Sequence, residues 1–294
     1  MARTLGVDTN HWEGKVNSDL MALRGVRFNI AKFSDFVKWT NNGFLDTQFA
    51  ATYRGHKANG ILIGGYHWLQ PNSDHEAQAR FYLDNAKGYV MDIPPVLDFE
   101  DEAGRGSSNY LWKAQEWLKI VEQETGRTPI LYTASGFIRD FPKEKLGWMV
   151  KYPLWLAQYT FAQLPPTVPY PWSNWTFWQY TDKGDGRYYG CDSTAIDMNY
   201  FNGSYDDLLA FCGTVAPPVQ ETLFIGEVTA SILNVRTSPD TGAVVKRQLK
   251  RGDLVKVKQI HGDEVWYRLD DGLFVAGRYD GQTYIQERGT VANN

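Results

Sequence analysis

Pro94-Pro95-Val96-Leu97-Asp98-Phe99-Glu100 is an apolar run that ends in two carboxylates separated by one aromatic residue. Strand side chains alternate faces with period two, so Asp98 and Glu100 point one way and Phe99 packs behind them. At ~3.3 Å rise per residue their Cα atoms lie about 6.6 Å apart, close enough for each charge to raise the cost of ionising the other. One carboxyl then stays protonated near neutral pH while its neighbour stays ionised, the pairing that glycosidic bond cleavage requires. Taken alone, the D-x-E pattern equally describes a strand end whose acids merely face water, so the rest of the chain has to decide.

Outward from this stretch, short apolar runs recur between longer mixed segments: Leu5–Asp8, Val26–Ala31, Ile61–His67, Pro95–Glu100, Pro129–Thr133, Leu154–Tyr159, Thr176–Tyr180 and Ala195–Met198. The gaps carry helical signals. Phe44, Phe49, Tyr53 and Lys57 are helically spaced before Gly60. Ser73-Asp74-His75-Glu76 resembles an N-cap ahead of Ala79, Tyr82, Leu83 and Ala86, and Leu111, Trp112, Trp117, Leu118 and Val121 form a stripe that stops at Gly126. Eight strands with interleaved helices predict an α/β class and a (β/α) barrel, irregular in its second half, where the gaps are shorter and richer in Pro.

A barrel places its chemistry at the C-terminal ends of its strands. Asp8 closes the first run, Tyr66-His67-Trp68 the third, Asp98 and Glu100 the fourth, Tyr132 the fifth, Gln158-Tyr159 the sixth, Gln179-Tyr180 the seventh and Asp197 the eighth. Closure makes the first and last strands neighbours, so Asp8 and Asp197 are expected side by side. His67 reads as a hydrogen-bonded structural histidine, because the carboxylates already supply acid and base. The four acids lack accompanying His ligands, so neither a metal nor a cofactor is expected.

Composition narrows the classes. The chain has 294 residues, 43% hydrophobic, enough for one large core and a small satellite. Aromatics reach 15%, with 11 Trp and 17 Tyr, a supply of flat rings suited to stacking on sugars. The net charge of −4 argues against nucleic acid, and no apolar run approaches the ~20 residues of a membrane span. The opening residues enter a strand at once and leave no room for a signal peptide. Cys191 and Cys212 are either a bridge clamping the last helix or two buried thiols.

The segment 214–222, with Pro217-Pro218, reads as a linker between a domain at 1–213 and a second at 223–294. Beyond it, Leu233-Asn234-Val235-Arg236, Leu254-Val255-Lys256-Val257 and Val265-Trp266-Tyr267-Arg268-Leu269 alternate with tight turns, predicting a small all-β barrel. Arg251-Gly252-Asp253 reads as one of those turns.

These residues resemble a known family. Gly6-Val7-Asp8-Thr9-Asn10-His11-Trp12 is similar to the G-[IV]-D-x-S-x-W opening of the glycoside hydrolase family 25 (Chalaropsis-type) lysozymes. In the family's order follow Phe28-Asn29-Ile30-Ala31-Lys32, Gly64-Gly65-Tyr66-His67-Trp68, Leu97-Asp98-Phe99-Glu100, Leu154-Trp155-Leu156-Ala157-Gln158-Tyr159, Phe177-Trp178-Gln179-Tyr180 and Ile196-Asp197-Met198-Asn199-Tyr200-Phe201. The resemblance covers residues 5 to 212. It implies a muramidase that cuts the β-1,4 bond between N-acetylmuramic acid and N-acetylglucosamine in peptidoglycan strands. Glu100 stands at the general-acid position, and Asp98 is the ionised partner, either orienting the substrate acetamide or stabilising the transition state directly. Asp8 and Asp197 take positioning and electrostatic roles, and Tyr66, Trp68, Tyr132, Tyr159, Trp178 and Gln179 are candidates for substrate contact. In this opening Thr9-Asn10 replaces the commoner V-S.

The second domain resembles a bacterial SH3-type module that binds a wall peptide or wall polymer. The pairing resembles phage endolysins and bacterial autolysins; with no signal peptide read at the start, the expectation is synthesis in the cytoplasm and release by a holin-like or other non-classical route, or an extracellular protein if a signal was trimmed. Two other readings compete. A chitinase-like hydrolase usually carries a further Asp two residues before its D-x-E, where this chain has Val96, and a non-catalytic glycan-binding barrel typically loses the acid that Glu100 retains.

Overall fold

Each of the eight apolar runs forms a strand. In the computed structural model, which describes residues 3–160, 164–214, 224–261, 266–279 and 281–289, they are β1 (Thr4–Thr9), β2 (Phe28–Phe36), β4 (Leu62–Trp68), β5 (Val96–Asp98), β6 (Ile130–Ala134), β7 (Leu154–Ala157), β8 (Phe177–Asp185) and β9 (Ala195–Phe201), with a short β3 (Gly43–Leu45) folded back on β2. Neighbours pair in the order β1-β2-β4-β5-β6-β7-β8-β9, and β9 returns to β1, closing a barrel. Pairings from β1 to β8 are parallel, whereas β9 runs antiparallel to both β8 and β1. Asp197 therefore does not close its strand, as the sequence suggested, but lies near its start. It reaches the mouth because β9 enters the barrel from that end.

Period-two alternation sorts the side chains into two cores. Inward residues Phe28, Ile30, Leu62, Val96, Ile130, Trp155, Phe177 and Phe201 fill the lower barrel. Outward residues Phe33, Ile63, Leu97, Phe99, Leu131, Leu156 and Trp178 meet the helices. Burying each such ring contributes about 2–3 kcal/mol relative to leaving it exposed. Gly6 is required by this filling, since a Cβ there would lie 2.3 Å from the Phe28 ring.

The helices are α1 (Ser18–Leu23), α2 (Phe49–Ala58), α3 (His75–Ala86), α4 (Ser108–Thr125), α5 (Ser135–Ile138) and α6 (Tyr205–Cys212). Asp74 caps α3 by accepting from the Ala77 N–H at 2.8 Å. Ser107 caps α4, which ends at Gly126 in the left-handed conformation, φ 64°. Two residues of the expected stripes belong elsewhere: Phe44 lies in β3, and Trp112 is 47% exposed, edge-on to His75. The second half is irregular, as its Pro-rich gaps predict. Among the described residues no helix lies between β7 and β8 or between β8 and β9.

Cys191 and Cys212 are free and buried in separate clusters, with burial pushing both thiols up to about 12. Among the described residues no helix is long and apolar enough to cross a membrane.

The chain divides into two units, Met1–Ala216 and Pro217–Asn294. Apart from Thr214, the linker read at 214–222 lies outside the described residues. Among its described residues every strand pairing of the second unit is antiparallel. Its seven-stranded sheet joins, in spatial order, Val245–Lys250, Ile232–Arg236, Phe274–Ala276, Trp266–Leu269, Leu254–His261, Phe224–Val228 and Ile285–Gly289 around Val228, Val235, Val257, Leu269, Val275 and Ile285. Arg251-Gly252-Asp253 forms a turn closed by the Asp253 N–H donating to the Lys250 carbonyl at 3.0 Å.

Candidate active site

The inward alternation that fills the barrel below also delivers the polar residues at its mouth. Asp98 is the last residue of β5 and Glu100 follows two positions on, while Phe99 turns outward against Tyr110, Phe137 and Phe141. Asp98 is only 4% exposed, and its Oδ1 has no hydrogen-bond partner among the described residues. Burial, reinforced by the charge of Glu100, holds its carboxyl well above the ordinary carboxylate range, with Lys32 opposing. Glu100 is half-buried, and desolvation pushes it up to about 7, against a hydrogen bond from Tyr132. Burial thus pushes both carboxyls of the pair toward the protonated form. Asp98 is the more deeply buried of the two, and its Oδ1 has no donor among the described residues.

Across the mouth, Asp8 and Asp197 face each other as direct partners in the β1/β9 register. Asp8 Oδ2 accepts from Gln179 Nε2 at 2.8 Å and Asn199 Nδ2 at 2.7 Å. Gln179 Nε2 also donates to Asp197 Oδ2 at 3.1 Å, and its Oε1 accepts from the Tyr132 hydroxyl at 3.2 Å and the Tyr159 hydroxyl at 3.1 Å. Gln179 thereby links both sides of the mouth. Burial raises Asp8 to about 7 and Asp197 to about 9, the latter further by the charge of Asp8, so Asp197 is the carboxyl that keeps its proton at neutral pH.

The aromatic candidates separate by strand parity. Tyr66 and Tyr132 line the inside beneath the acids, both 6% exposed. Trp68 is partly exposed, donates Nε1 to Asp101 Oδ2 at 3.3 Å and carries the Lys32 ammonium 5.2 Å from its ring centroid. Tyr159 is 54% exposed on the rim. Trp178 does not belong to the site. It is fully buried on the helix side, its Nε1 donating to the Gln158 carbonyl at 2.8 Å, because its neighbour Gln179 takes the inward position and adjacent strand residues cannot share a face. His67 is structural, held by Ser34 Oγ at 2.8 Å and Gln78 Oε1 at 3.0 Å and stacked on Trp117, with burial lowering it to about 4.

Several site residues escaped the sequence reading. Lys32 pairs with Asp35 at 2.7 Å, and Asp35 also accepts from Gln70 Nε2 at 2.8 Å. Asn199 ties Asp8 to Trp155 Nε1 at 2.8 Å. Buried Glu13 accepts from the Asn10 N–H at 2.6 Å, and desolvation raises its carboxyl. Parity would have found Asn199, two residues from Asp197.

Two exposed rings complete the rim. Trp12 and Trp39 are 78% and 76% exposed, each in the segment after a strand whose C-terminal end faces the mouth. Trp39 has φ 66°, a left-handed conformation that costs an L-residue about 1–2 kcal/mol. The turn is held by the Val37 N–H to the Asn42 carbonyl at 2.9 Å and Ser73 Oγ to the Thr40 carbonyl at 2.6 Å. A tryptophan amid Lys38, Thr40, Asn41 and Asn42 was the only available signal.

A buried acid pair of unequal depth, a second acid pair opposite and a rim of rings form a cleft suited to a polysaccharide. The model of the family "Glycosyl hydrolases family 25" matches residues 7–187. The chain belongs to that family. It is a glycoside hydrolase, which sets aside the non-catalytic reading, and its membership of family 25 sets aside the chitinase-like one. The family 25 chain is 31% identical over 221 residues to Lysozyme M1 of Streptomyces globisporus, covering 72% of each protein. It is 30% identical over 212 residues to the uncharacterized protein YegX of Escherichia coli strain K12, covering 70% of this chain and 72% of that one. Among solved structures, the bacterial lysozyme from Streptomyces coelicolor superposes with a TM-score of 0.60 at 27% identity, over 72% of this chain and 98% of that chain.

Proposed function

We propose that this family 25 enzyme is an N-acetylmuramidase, hydrolysing the β-1,4 bond between N-acetylmuramic acid and N-acetylglucosamine in peptidoglycan. The observation that carries the mechanism is the partnerless, buried Asp98 Oδ1 beside a Glu100 carboxyl poised at about 7. A 2-acetamido sugar supplies what Asp98 lacks, an amide N–H donor. Accepting that bond favours the ionised form of Asp98. Glu100 then protonates the leaving oxygen as general acid. Ionised Asp98 either orients the acetamide for attack on its own anomeric carbon or stabilises the positive charge that develops there. Asp8, Asp197 and Gln179 hold the opposite wall of the cleft. Reduction of the digest with borohydride, followed by mass spectrometry, is expected to find muramitol at the new ends. Glucosaminitol there, or new amino termini without reducing sugars, would overturn the assignment.

The second unit we read as an SH3-type module that holds the enzyme on a wall peptide or wall polymer, supported by its small antiparallel sheet and the Leu233–Pro239 pattern. Residues 1–213 alone are then expected to cleave soluble strands like the full chain but to bind intact walls more weakly. Equal lysis of whole cells by both would remove the targeting role. The wall is the site of action in this reading, reached from the cytoplasm through a holin-like or other non-classical route.

A further inference from the structure

A second cavity opens beside the mouth. It encloses about 530 Å³ between the segment after β6 and the segment after β7, with Phe141 and Val168 as apolar floor and Arg139, Lys143, Gln158 and Tyr170 at its edge. Gln158 is the wall between this cavity and the cleft. Its Nε2 donates to Ser135 Oγ at 3.1 Å, and its Oε1 accepts from the Thr167 N–H at 2.6 Å. The next residue, Tyr159, reaches Gln179 and through it the acids. Arg139 and Lys143 are exposed, and among the described residues neither makes an ion pair. The neighbouring acid Asp140 is turned away to Arg105. Arg139 Nη2 donates to Ser135 Oγ at 3.4 Å and Lys143 stands beside it, so the cavity edge carries two solvated cations whose charge complements an anionic ligand.

We propose that this cavity binds the peptide stem carried by the muramic acid of the substrate, with Arg139 and Lys143 receiving its free carboxylates and Phe141 and Val168 its alanine methyl groups. The proposal deepens the muramidase reading and rests on it. A stem of four residues spans up to about 13–14 Å when extended, and Gln158 in the cavity lining is the sequence neighbour of Tyr159. The stem leaves the sugar through the lactyl ether, away from the bond being cut, so its binding lowers KM without altering the chemical step.

The test compares the full-length protein with the R139Q/K143Q variant on two soluble substrates free of teichoic polymer. One is uncrosslinked strands with unamidated stems, the other the same strands stripped of peptide by an amidase. The variant is expected to show a KM raised about five- to tenfold on peptide-bearing strands, the scale of two partly exposed ion pairs, with kcat unchanged and no effect on stripped strands. Equal losses on both substrates, or none on either, would overturn the proposal, as would a loss seen only on walls that retain teichoic phosphate. Calorimetric titration with the free stem tetrapeptide reads the cavity independently of cleavage: binding to the wild type that weakens in the variant supports the proposal, and no difference overturns it. If neither protein cleaves either strand, the hydrolase reading fails, while the titration still decides the cavity.

Discussion

The two acid pairs at the mouth are built from the same residue types and solve the problem of buried charge in opposite ways. Asp8 and Asp197 come from different strands and are paid in hydrogen bonds: two side-chain amides serve Asp8, and one of them also reaches Asp197. Asp98 and Glu100 come from one segment, and Asp98 keeps an oxygen with no partner at all. Satisfied polar groups stabilise a cleft, whereas an unsatisfied one costs about 1–3 kcal/mol. The contrast assigns the first pair to architecture and the second to chemistry.

The sharpest way to break this contrast is Glu100→Gln, expected to lower kcat about 10²–10⁴-fold, the usual worth of a general acid, with the fold intact by circular dichroism. In the wild type, activity should fall as pH rises through about 7, where Glu100 gives up its proton. A basic limb well above that value would take Glu100 out of the role. Asp98→Asn comes next, with a loss of about 10²–10³-fold and unchanged or higher thermal stability, since it removes a carboxyl that burial disfavours ionising. Near-normal turnover in that variant would erase the difference between the pairs.

Asp197→Asn should cost activity only about tenfold, because a carboxamide can still donate to Asp8, and its main effect should be on stability. Asp8 and Asp197 titrate at about 7 and 9 when folded, above the ordinary carboxylate values near 4. The folded state therefore holds more protons than the unfolded chain from about pH 4 up to those values, and stability falls as pH rises through that window. The melting temperature of the wild type is expected to be lower at pH 8 than at pH 5, and Asp197→Asn to flatten that slope, raising Tm at pH 8 by a few degrees. An unchanged slope would show that the pair carries no such linkage. The smallest effect belongs to the rim. Trp39→Asn suits the left-handed backbone better and should raise Tm by about 2 °C while raising KM on long strands a few-fold, and loss of stability instead would mean that the ring packs rather than serves the cleft.

Sequence alone determined the eight strands, the β-rich second unit and the identity of the four acids, because strand periodicity, helix caps and residue chemistry are local properties written along the chain. The meeting of Asp8 with Asp197 was also legible, as closure of any eight-stranded barrel demands it. Tertiary structure decided the rest. The reversed direction of β9, the exclusion of Trp178 by Gln179, and the recruitment of Lys32 and Asn199 depend on pairing and facing across strands far apart in sequence. Nor could the D-x-E spacing say which carboxyl holds the proton. That is set by burial depth and by the donors each oxygen meets.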